Sequence, residues 1–208
     1  MAHYTTRPLA PNVDQLTCEH CPYQTISPRE MALHLEYVHK IKAEPEAEPV
    51  VKPKRILEIG TRTGLSIAQL LSAFLDHSNI QEIILCDLFN DGLCTPNLVL
   101  NNLRYLNLPT DKISFITGDS LVEIPKLFGT KMFDYILVDG GHDKENARQD
   151  LHNATQLIDR GGHIVFDDIT PDGCNLQDVW DEFKNIHFHE FHYYENHDGK
   201  GIGVAVRL

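Results

Sequence analysis

The chain has 208 residues, and its 18 Lys and Arg against 30 Asp and Glu give a formal net charge of -12 at pH 7. A content of 42% hydrophobic and 23% charged residues is typical of a globular protein and excludes a disordered one. The acidic balance argues against nonspecific binding to nucleic acid or anionic lipid. No apolar run approaches the roughly 20 residues of a membrane helix, and residues 1–10 lack the basic and apolar stretches of a signal peptide. We therefore expect a cytoplasmic protein without nucleic-acid or membrane partners.

The first forty residues carry four candidate zinc ligands, which are Cys18, Cys21, His34 and His39. Their spacing, C-x₂-C-x₁₂-H-x₄-H, resembles that of a C2H2 zinc finger. In such a module a tight turn presents two thiolates and one helix face presents two imidazoles to a tetrahedral Zn²⁺. We expect residues 1–40 to form a small ββα finger with a structural Zn²⁺. Because this segment has one more acidic than basic side chain, a protein contact or substrate presentation is favoured over DNA binding.

Residues 41–54 predict a linker. Three prolines alternate with lysines and glutamates there, and proline fixes φ and lacks a backbone donor. This composition divides the finger from a longer body, which we place at residues 55–208.

The body alternates strand-like and helix-like runs. The strand-like runs are Arg55–Ile59, Glu82–Cys86, Ile113–Ile116, Phe133–Val138 and His163–Phe166. The helix-like runs are Leu65–Leu75, Asn97–Leu106, Leu121–Phe128, Lys144–Ile158 and Leu176–Asn185. Such alternation predicts βαβ units and an α/β fold with a parallel sheet. Two later strand-like runs, Phe188–Tyr194 and Ile202–Leu208, favour an antiparallel hairpin that closes the sheet.

Each of the five predicted parallel strands ends at or beside a carboxylate. These acids are Glu58, Asp87, Asp119, Asp139 and the pair Asp167-Asp168. Ligands of open α/β sheets bind at the carboxyl ends of the strands, and carboxylates gathered there repel one another unless cations or hydroxyl donors occupy the cleft. The turn after the first strand lacks the glycine spacing of the dinucleotide fingerprint and of the phosphate loop. An adenosine-bearing cofactor without pyrophosphate fits better, with Asp87 at the ribose and Asp119 and Ser120 beside the adenine.

Five segments resemble the successive motifs of class I S-adenosylmethionine (SAM)-dependent methyltransferases. In chain order they are ILEIGTRTGLS, ILCDLF, ITGDS, FDYILVDGGH and GGHIVFDDI. The last two are similar to those of cephalosporin-hydroxylase-like proteins and metal-dependent macrolide sugar O-methyltransferases. The resemblance implies a Rossmann-like, seven-stranded sheet with an antiparallel last strand. It also implies SAM contacts, with the methionine part near the first turn, at Glu58, Gly60, Thr61, Gly64, Ser66, Asp87, Asp119, Ser120 and Asp139.

The fourth and fifth strands predict a metal site. If the two strands are neighbours, Asp139 lies close to Asp167 and Asp168, and three carboxylates suit a hard cation such as Mg²⁺. His142, three residues after Asp139, is suited to take a proton from a substrate hydroxyl. The resemblance implies the same roles, although the acidic pair of close relatives begins with Glu, which leaves open whether Asp167 binds directly or through water. Helix capping and an ordinary turn are the alternative interpretations of these residues.

Other acceptors and sites find less support. Methylation of a base amino group usually accompanies an Asn/Asp-Pro-Pro-aromatic turn after the fourth strand, and C5 methylation of cytosine needs a Pro-Cys nucleophile; neither is present. Cys86, Cys94 and Cys174 are most simply buried or loop thiols. The histidines His187, His189 and His192 favour an edge strand over a second metal site.

The leading hypothesis is therefore a SAM-dependent O-methyltransferase that uses a divalent cation on a small hydroxylated, sugar-like acceptor. A zinc-finger adaptor that binds SAM without catalysis and a finger-guided nucleic-acid methyltransferase are the alternatives. An open cleft completed by a second copy of the chain, as a homo-oligomer, also fits the short segments around the sheet.

Overall fold

The computed structural model describes residues 4–10, 13–18, 24–25, 53–74, 76–90, 94–170, 174–187, 190–194 and 201–207. Two units divide the chain. One consists of Met1–Lys52, Gly64–His77 and Leu100–Thr110, and the other of Pro53–Thr63, Ser78–Val99 and Asp111–Leu208. No helix among the described residues is both long and apolar enough to cross a membrane.

The first unit contains a small antiparallel sheet with the order β1-β2-β3. Its strands are β1 (Tyr4–Ala10), β2 (Val13–Cys18) and β3 (Gln24–Thr25). Strands β2 and β3 are antiparallel, and Thr17 pairs with Gln24. Strand β1 lies before the segment that resembles a finger and has no counterpart in the sequence prediction. Of the predicted zinc ligands, Cys18 ends β2, whereas Cys21, His34 and His39 lie outside the described residues.

Two helices belong wholly or largely to the first unit. They are α1 (Leu65–Ser72) and α2 (Pro96–Tyr105). Helix α1 begins after Gly64, whose φ of 81° lies in the left-handed region that favours glycine. It buries Ile67, Ala68 and Leu71, which recur at helical spacing. The sequence predicted that α1 extends to Leu75, but the helix ends at Ser72.

The second unit is built on a mixed sheet with the order β6-β5-β4-β7-β8-β10-β9. Its strands are β4 (Arg55–Ile59), β5 (Glu82–Asp87), β6 (Ile113–Thr117), β7 (Phe133–Val138), β8 (Ile158–Phe166), β9 (Glu190–Tyr194) and β10 (Ile202–Val206). Strands β4 to β8 pair in parallel, and β10 pairs antiparallel with β8 and β9. The predicted α/β, Rossmann-like class with an antiparallel last strand is confirmed. The strand order reverses between β4 and β7, and a crevice at such a switch point is where ligands of this architecture bind.

Side chains from the sheet and from two helices form the core of the second unit. Helix α4 (Lys144–Leu157) follows an N-cap at Asp143 and buries Ala147, Leu151 and Ala154 on one face. Helix α5 (Gln177–His187) contributes Trp180, which is fully buried and stacks at 6.1 Å on Phe166 of β8. This stacking fixes the segment after β8 against the sheet.

Two elements differ from the sequence prediction for local reasons. The helix expected over Leu121–Phe128 is a short α3 (Ser120–Glu123) followed by a 3₁₀ helix (Ile124–Leu127). Pro125 lacks an N–H and sits where the pattern changes. Strand β8 begins at Ile158 instead of His163, and its register with β7 shifts by a bulge before His163. Gly161, at a φ of 78°, permits the irregular backbone at this bulge.

The sequence favoured an edge strand for the three histidines near the end of the chain, and this prediction is wrong for His187. His187 belongs to α5 and His192 to β9, while His189 lies outside the described residues. Strand β9 pairs with β10 alone and forms one edge of the sheet. The described residues thus favour the edge-strand interpretation for His192.

Candidate active site

The ends of β4 and β7 touch at the switch point of the sheet. The Asp139 N–H donates a hydrogen bond to the Ile59 carbonyl at 2.8 Å. Gly60 has a φ of +90°, and a Cβ added there would lie 1.8 Å from the Asp139 carbonyl oxygen. Only glycine allows this approach, because any side chain would both strain φ and collide with backbone. The close contact brings the turn after β4 next to the first candidate metal ligand.

Asp87, at the end of β5, is held by two backbone donors. Its Oδ2 accepts a hydrogen bond from the Arg62 N–H at 2.7 Å, and its Oδ1 accepts one from the Phe89 N–H at 3.2 Å. Arg62 and Phe89 have φ values of 47° and 48°, which are uncommon for such side chains. A carboxylate has about four acceptor positions, so both oxygens of this fixed group can still accept ribose hydroxyls.

The predicted contacts to the methionine part of SAM have different surroundings. Glu58 lies inside β4 and is only 1% exposed. Burial, together with this carboxylate, raises the pKa of the neighbouring Tyr135. Thr61 is also buried, whereas Gly64 and Ser66 begin helix α1. Cofactor contact at these positions stays a prediction.

Asp119 and Ser120 follow β6, where the sequence placed the adenine. The Asp119 carboxylate accepts a hydrogen bond from the Leu121 N–H at 2.9 Å and caps helix α3. Helix capping, the alternative interpretation of this acid, is therefore real, but it uses only one of the available acceptor positions. The group keeps the capacity for a second role.

A buried acid that the sequence analysis missed, Asp150, lies on the inner face of α4. It is fully buried, and neither carboxyl oxygen makes a hydrogen bond of normal geometry among the described residues. The pKa of Asp150 is raised to about 6, chiefly by burial and to a smaller extent by the charges of Asp119 and Asp143, while the Ser120 hydroxyl opposes the rise. A Cβ at Gly140 would lie 2.7 Å from Asp150 Oδ2. The carboxylate thus packs against the Gly140 turn. In the sequence, the position of Asp150 between Ala147 and Ala154 on the apolar face of the helix was the pattern that could have indicated a buried acid.

Three carboxylates meet where β7 and β8 end. One oxygen each of Asp139, Asp167 and Asp168 lies within 4.8 Å of the others. The strand pairing brings them together, since the Asp167 N–H donates to the Val138 carbonyl at 3.1 Å. Asp168 is 2% exposed and has a φ of 61°, a conformation that asparagine and aspartate tolerate better than most residues. An all-oxygen, multiply charged donor set of this kind fits a hard divalent cation such as Mg²⁺.

His142 lies at the rim of this carboxylate group. Its Nε2 is 3.3 Å from Asp168 Oδ2 and 3.8 Å from Asp139 Oδ1, and its side chain is 49% exposed. The imidazole therefore contacts both the acids and the solvent side of the cleft. This is the position that a group exchanging protons with a bound substrate requires.

Cys174, which the sequence indicated as a buried or loop thiol, lies beside the carboxylate group, and the sequence analysis gave it no role there. It is half-buried, and its thiol donates a hydrogen bond to Asp168 Oδ2 at 3.3 Å. The sequence offered no signal, because the residue follows β8 by eight positions and only the fold of that segment brings it back. Cys86, by contrast, is a buried thiol as expected, and burial with nearby acids raises its pKa to about 12.

Comparison with known proteins shows the family of the chain. A family model described as a methyltransferase domain matches residues 57–169, more than half of the chain. No curated protein sequence matches.

Several solved structures are similar in fold. An O-methyltransferase from Bacillus cereus, in complex with S-adenosylhomocysteine (SAH), has 19% identity and a TM-score of 0.58, over 90% of this chain and 85% of that one. TomG from Streptomyces achromogenes, an O-methyltransferase of tomaymycin synthesis with bound SAM, has 20% identity and a TM-score of 0.57, over 87% and 80%. The N-methyltransferase NodS from Bradyrhizobium japonicum, with SAH, has 16% identity and a TM-score of 0.54, over 86% and 85%. At such low identities, this structural likeness shows a shared fold alone.

Proposed function

The chain belongs to the methyltransferase-domain family and is a SAM-dependent methyltransferase, and from this premise we propose that it methylates an oxygen of a small, sugar-like acceptor with the help of a divalent cation. Two of the solved structures named above are O-methyltransferases, which agrees with this choice of acceptor atom. The observation that carries the proposal is the meeting of Asp139, Asp167 and Asp168 within 4.8 Å.

SAM would lie across the carboxyl ends of the parallel strands. The support is the fixed Asp87 carboxylate, which two backbone amides orient, and the Gly60 turn, whose backbone lies directly against that of Asp139 at the end of β7. Asp87 would accept the ribose hydroxyls, and Asp119 and Ser120 would line the adenine. The remaining contacts, at Glu58, Thr61, Gly64 and Ser66, are proposed around the methionine part.

The acceptor would bind over the three carboxylates. Asp139, Asp167 and Asp168 would hold the Mg²⁺ ion, which would supply Lewis-acid activation of an acceptor hydroxyl. His142 Nε2, at 3.3 Å from Asp168 Oδ2, would take the hydroxyl proton. The acceptor oxygen then forms a bond to the methyl carbon while the sulfur–methyl bond breaks, and a methyl ether and SAH are the products. Orientation by fixed side chains contributes much of the rate in such a transfer.

Release of SAH from SAM, measured over a panel of vicinal diols and sugars with Mg²⁺, tests this function. His142→Ala is expected to lower kcat by roughly 10²–10⁴, as for loss of a general base. The matched control is His152→Ala, an exposed histidine on α4. Equal activity of both variants on the best acceptor would exclude His142 as the base. Transfer to amines but not to hydroxyls would exclude O-methylation.

The zinc finger is a separate proposal for residues 1–40, linked by residues 41–54 to the catalytic body at 55–208. Its support is the ligand spacing together with the antiparallel pairing of β3 with β2, the strand that ends at Cys18. We expect stoichiometric zinc in the full chain and its loss in a Cys18→Ser/Cys21→Ser variant by elemental analysis. Zinc that persists in this variant would contradict the assignment. The finger would serve as a protein-contact module.

A further inference from the structure

Two side chains of different chemistry lie beside the same carboxylate oxygen of Asp168, Oδ2. His142 Nε2 lies 3.3 Å from Asp168 Oδ2, and Cys174 Sγ lies 3.3 Å from the same oxygen. One donor atom each of His142, Asp168 and Cys174 falls within 4.8 Å of the other two. A nitrogen, an oxygen and a sulfur donor are thus arranged as the corners of one small triangle.

This spacing suits a tetrahedral ion. Zinc binds nitrogen and oxygen at about 2.0–2.2 Å and sulfur at about 2.3 Å, so neighbouring ligand atoms of a tetrahedral site lie roughly 3.3–3.8 Å apart. Both measured contacts to Asp168 Oδ2 fall at the lower end of that range. Thiolate and imidazole donors select borderline cations such as Zn²⁺ and Co²⁺ and are poor ligands for Mg²⁺.

The segment that carries Cys174 is anchored to the end of β8. The Cys174 N–H donates to the Asp168 carbonyl at 3.3 Å, and the Asn175 N–H donates to the Thr170 carbonyl at 3.0 Å. Leu176, next along the chain, is buried in the core. The thiol is therefore held beside Asp168 by the backbone, so little ordering remains to be done when an ion binds.

We propose that His142, Asp168 and Cys174 form a second cation site, specific for a borderline divalent transition metal of the Zn²⁺ and Co²⁺ type, with its fourth position open. The site shares Asp168 with the proposed magnesium ligands but draws on different chemistry. Binding rests on these three side chains alone. One consequence rests on the proposed function: Nε2 of a metal-bound His142 cannot accept a proton, so such an ion inhibits methyl transfer.

Titration with Co²⁺ under anaerobic conditions tests the site, because thiolate ligation gives Co²⁺ a near-ultraviolet charge-transfer absorption that carboxylates do not give. The protein is the full chain with Cys18→Ser and Cys21→Ser, which removes the thiolates of the proposed finger. We expect the absorption to saturate at one equivalent of Co²⁺, and Mg²⁺ alone to produce no such absorption. It should disappear in Cys174→Ser and Cys174→Ala, and His142→Ala should weaken Co²⁺ binding at least tenfold.

The matched control is Cys94→Ser, since Cys94 is a buried thiol outside the group. Its absorption should equal that of the parent. Absence of the absorption in the parent, its persistence without Cys174, or its equal loss in the Cys94 variant would each overturn the proposal. Failure of the magnesium site leaves this readout unchanged, because Mg²⁺ does not bind thiolates, so the two proposals fail independently.

Discussion

Replacing Asp150 by Asn removes a charge that the fold buries, and its effect on stability should depend on pH. Burial raises the pKa of Asp150 from 3.8 to about 6. Between these two pH values the folded protein therefore keeps a proton on Asp150 that the unfolded chain has already released. Above both values Asp150 is ionised in either state, and its buried charge opposes folding. Each pH unit of pKa difference is worth about 1.4 kcal/mol, so the penalty reaches about 3 kcal/mol.

The sign follows from this linkage. The penalty is absent below about pH 4, grows as the pH rises through about 6 and is constant above. Asp150→Asn, which keeps the shape of the side chain, should therefore unfold with nearly the parent free energy at pH 4. At pH 8 it should be more stable by up to about 3 kcal/mol.

Urea unfolding at several pH values between 4 and 8 measures this difference. Taking variant minus parent cancels the titration of all other groups. Asp111→Asn is the control, since Asp111 has a side chain that is 71% exposed. A constant difference over the whole range would refute the reasoning, as would a variant that is less stable than the parent at pH 8.

Three further predictions follow from close contacts and from burial. Gly60→Ala should lower the free energy of unfolding in urea by about 3 kcal/mol or more, since the added Cβ would lie 1.8 Å from a backbone atom. The control Gly129→Ala, with φ +71° and open space around the added Cβ, should lose only about 1 kcal/mol. Equal losses in the two variants would contradict this prediction. Gly203→Ala places a Cβ 2.4 Å from the Trp180 ring and should lower Tm and shift the emission maximum of the Trp180 fluorescence to longer wavelength. An unchanged emission spectrum would contradict the packing of Gly203 against Trp180. Iodoacetamide should modify half-buried Cys174 before the buried Cys86 and Cys94, and peptide mass spectrometry measures the order of modification. Modification of Cys86 before Cys174 would contradict the raised pKa of about 12 of the Cys86 thiol.

Local patterns were sufficient for the central strands. Strands β4 and β7 span the residues that the sequence predicted, because each is an apolar run bounded by polar residues. The adjacency of β7 and β8 then explains why Asp139 lies beside Asp167 and Asp168. Strand ends in a parallel sheet are thus a place where sequence order predicts spatial neighbours.

Features that depend on tertiary contacts could not be predicted from the sequence. The sequence predicted that β8 begins at His163, but the strand begins at Ile158, and Gly161 and Gly162 share backbone hydrogen bonds with Arg207. Cys174 reaches Asp168 only because the backbone returns to the end of β8. Asp150 interrupts an apolar helix face, which is a readable pattern, but whether such an acid is buried or covered by solvent depends on the elements packed against it.

Calorimetric titration of the full chain with SAM and with SAH, in the presence and absence of Mg²⁺, tests the central claim most directly. We expect both ligands to bind, and Mg²⁺ to bind the SAH complex of the parent and of Asp111→Asn. Asp139→Asn and Asp168→Asn should each lower the affinity for Mg²⁺ at least tenfold, since each variant removes one of three carboxylates. Mg²⁺ binding that is equal in all four proteins, or absent from the parent, would contradict the account.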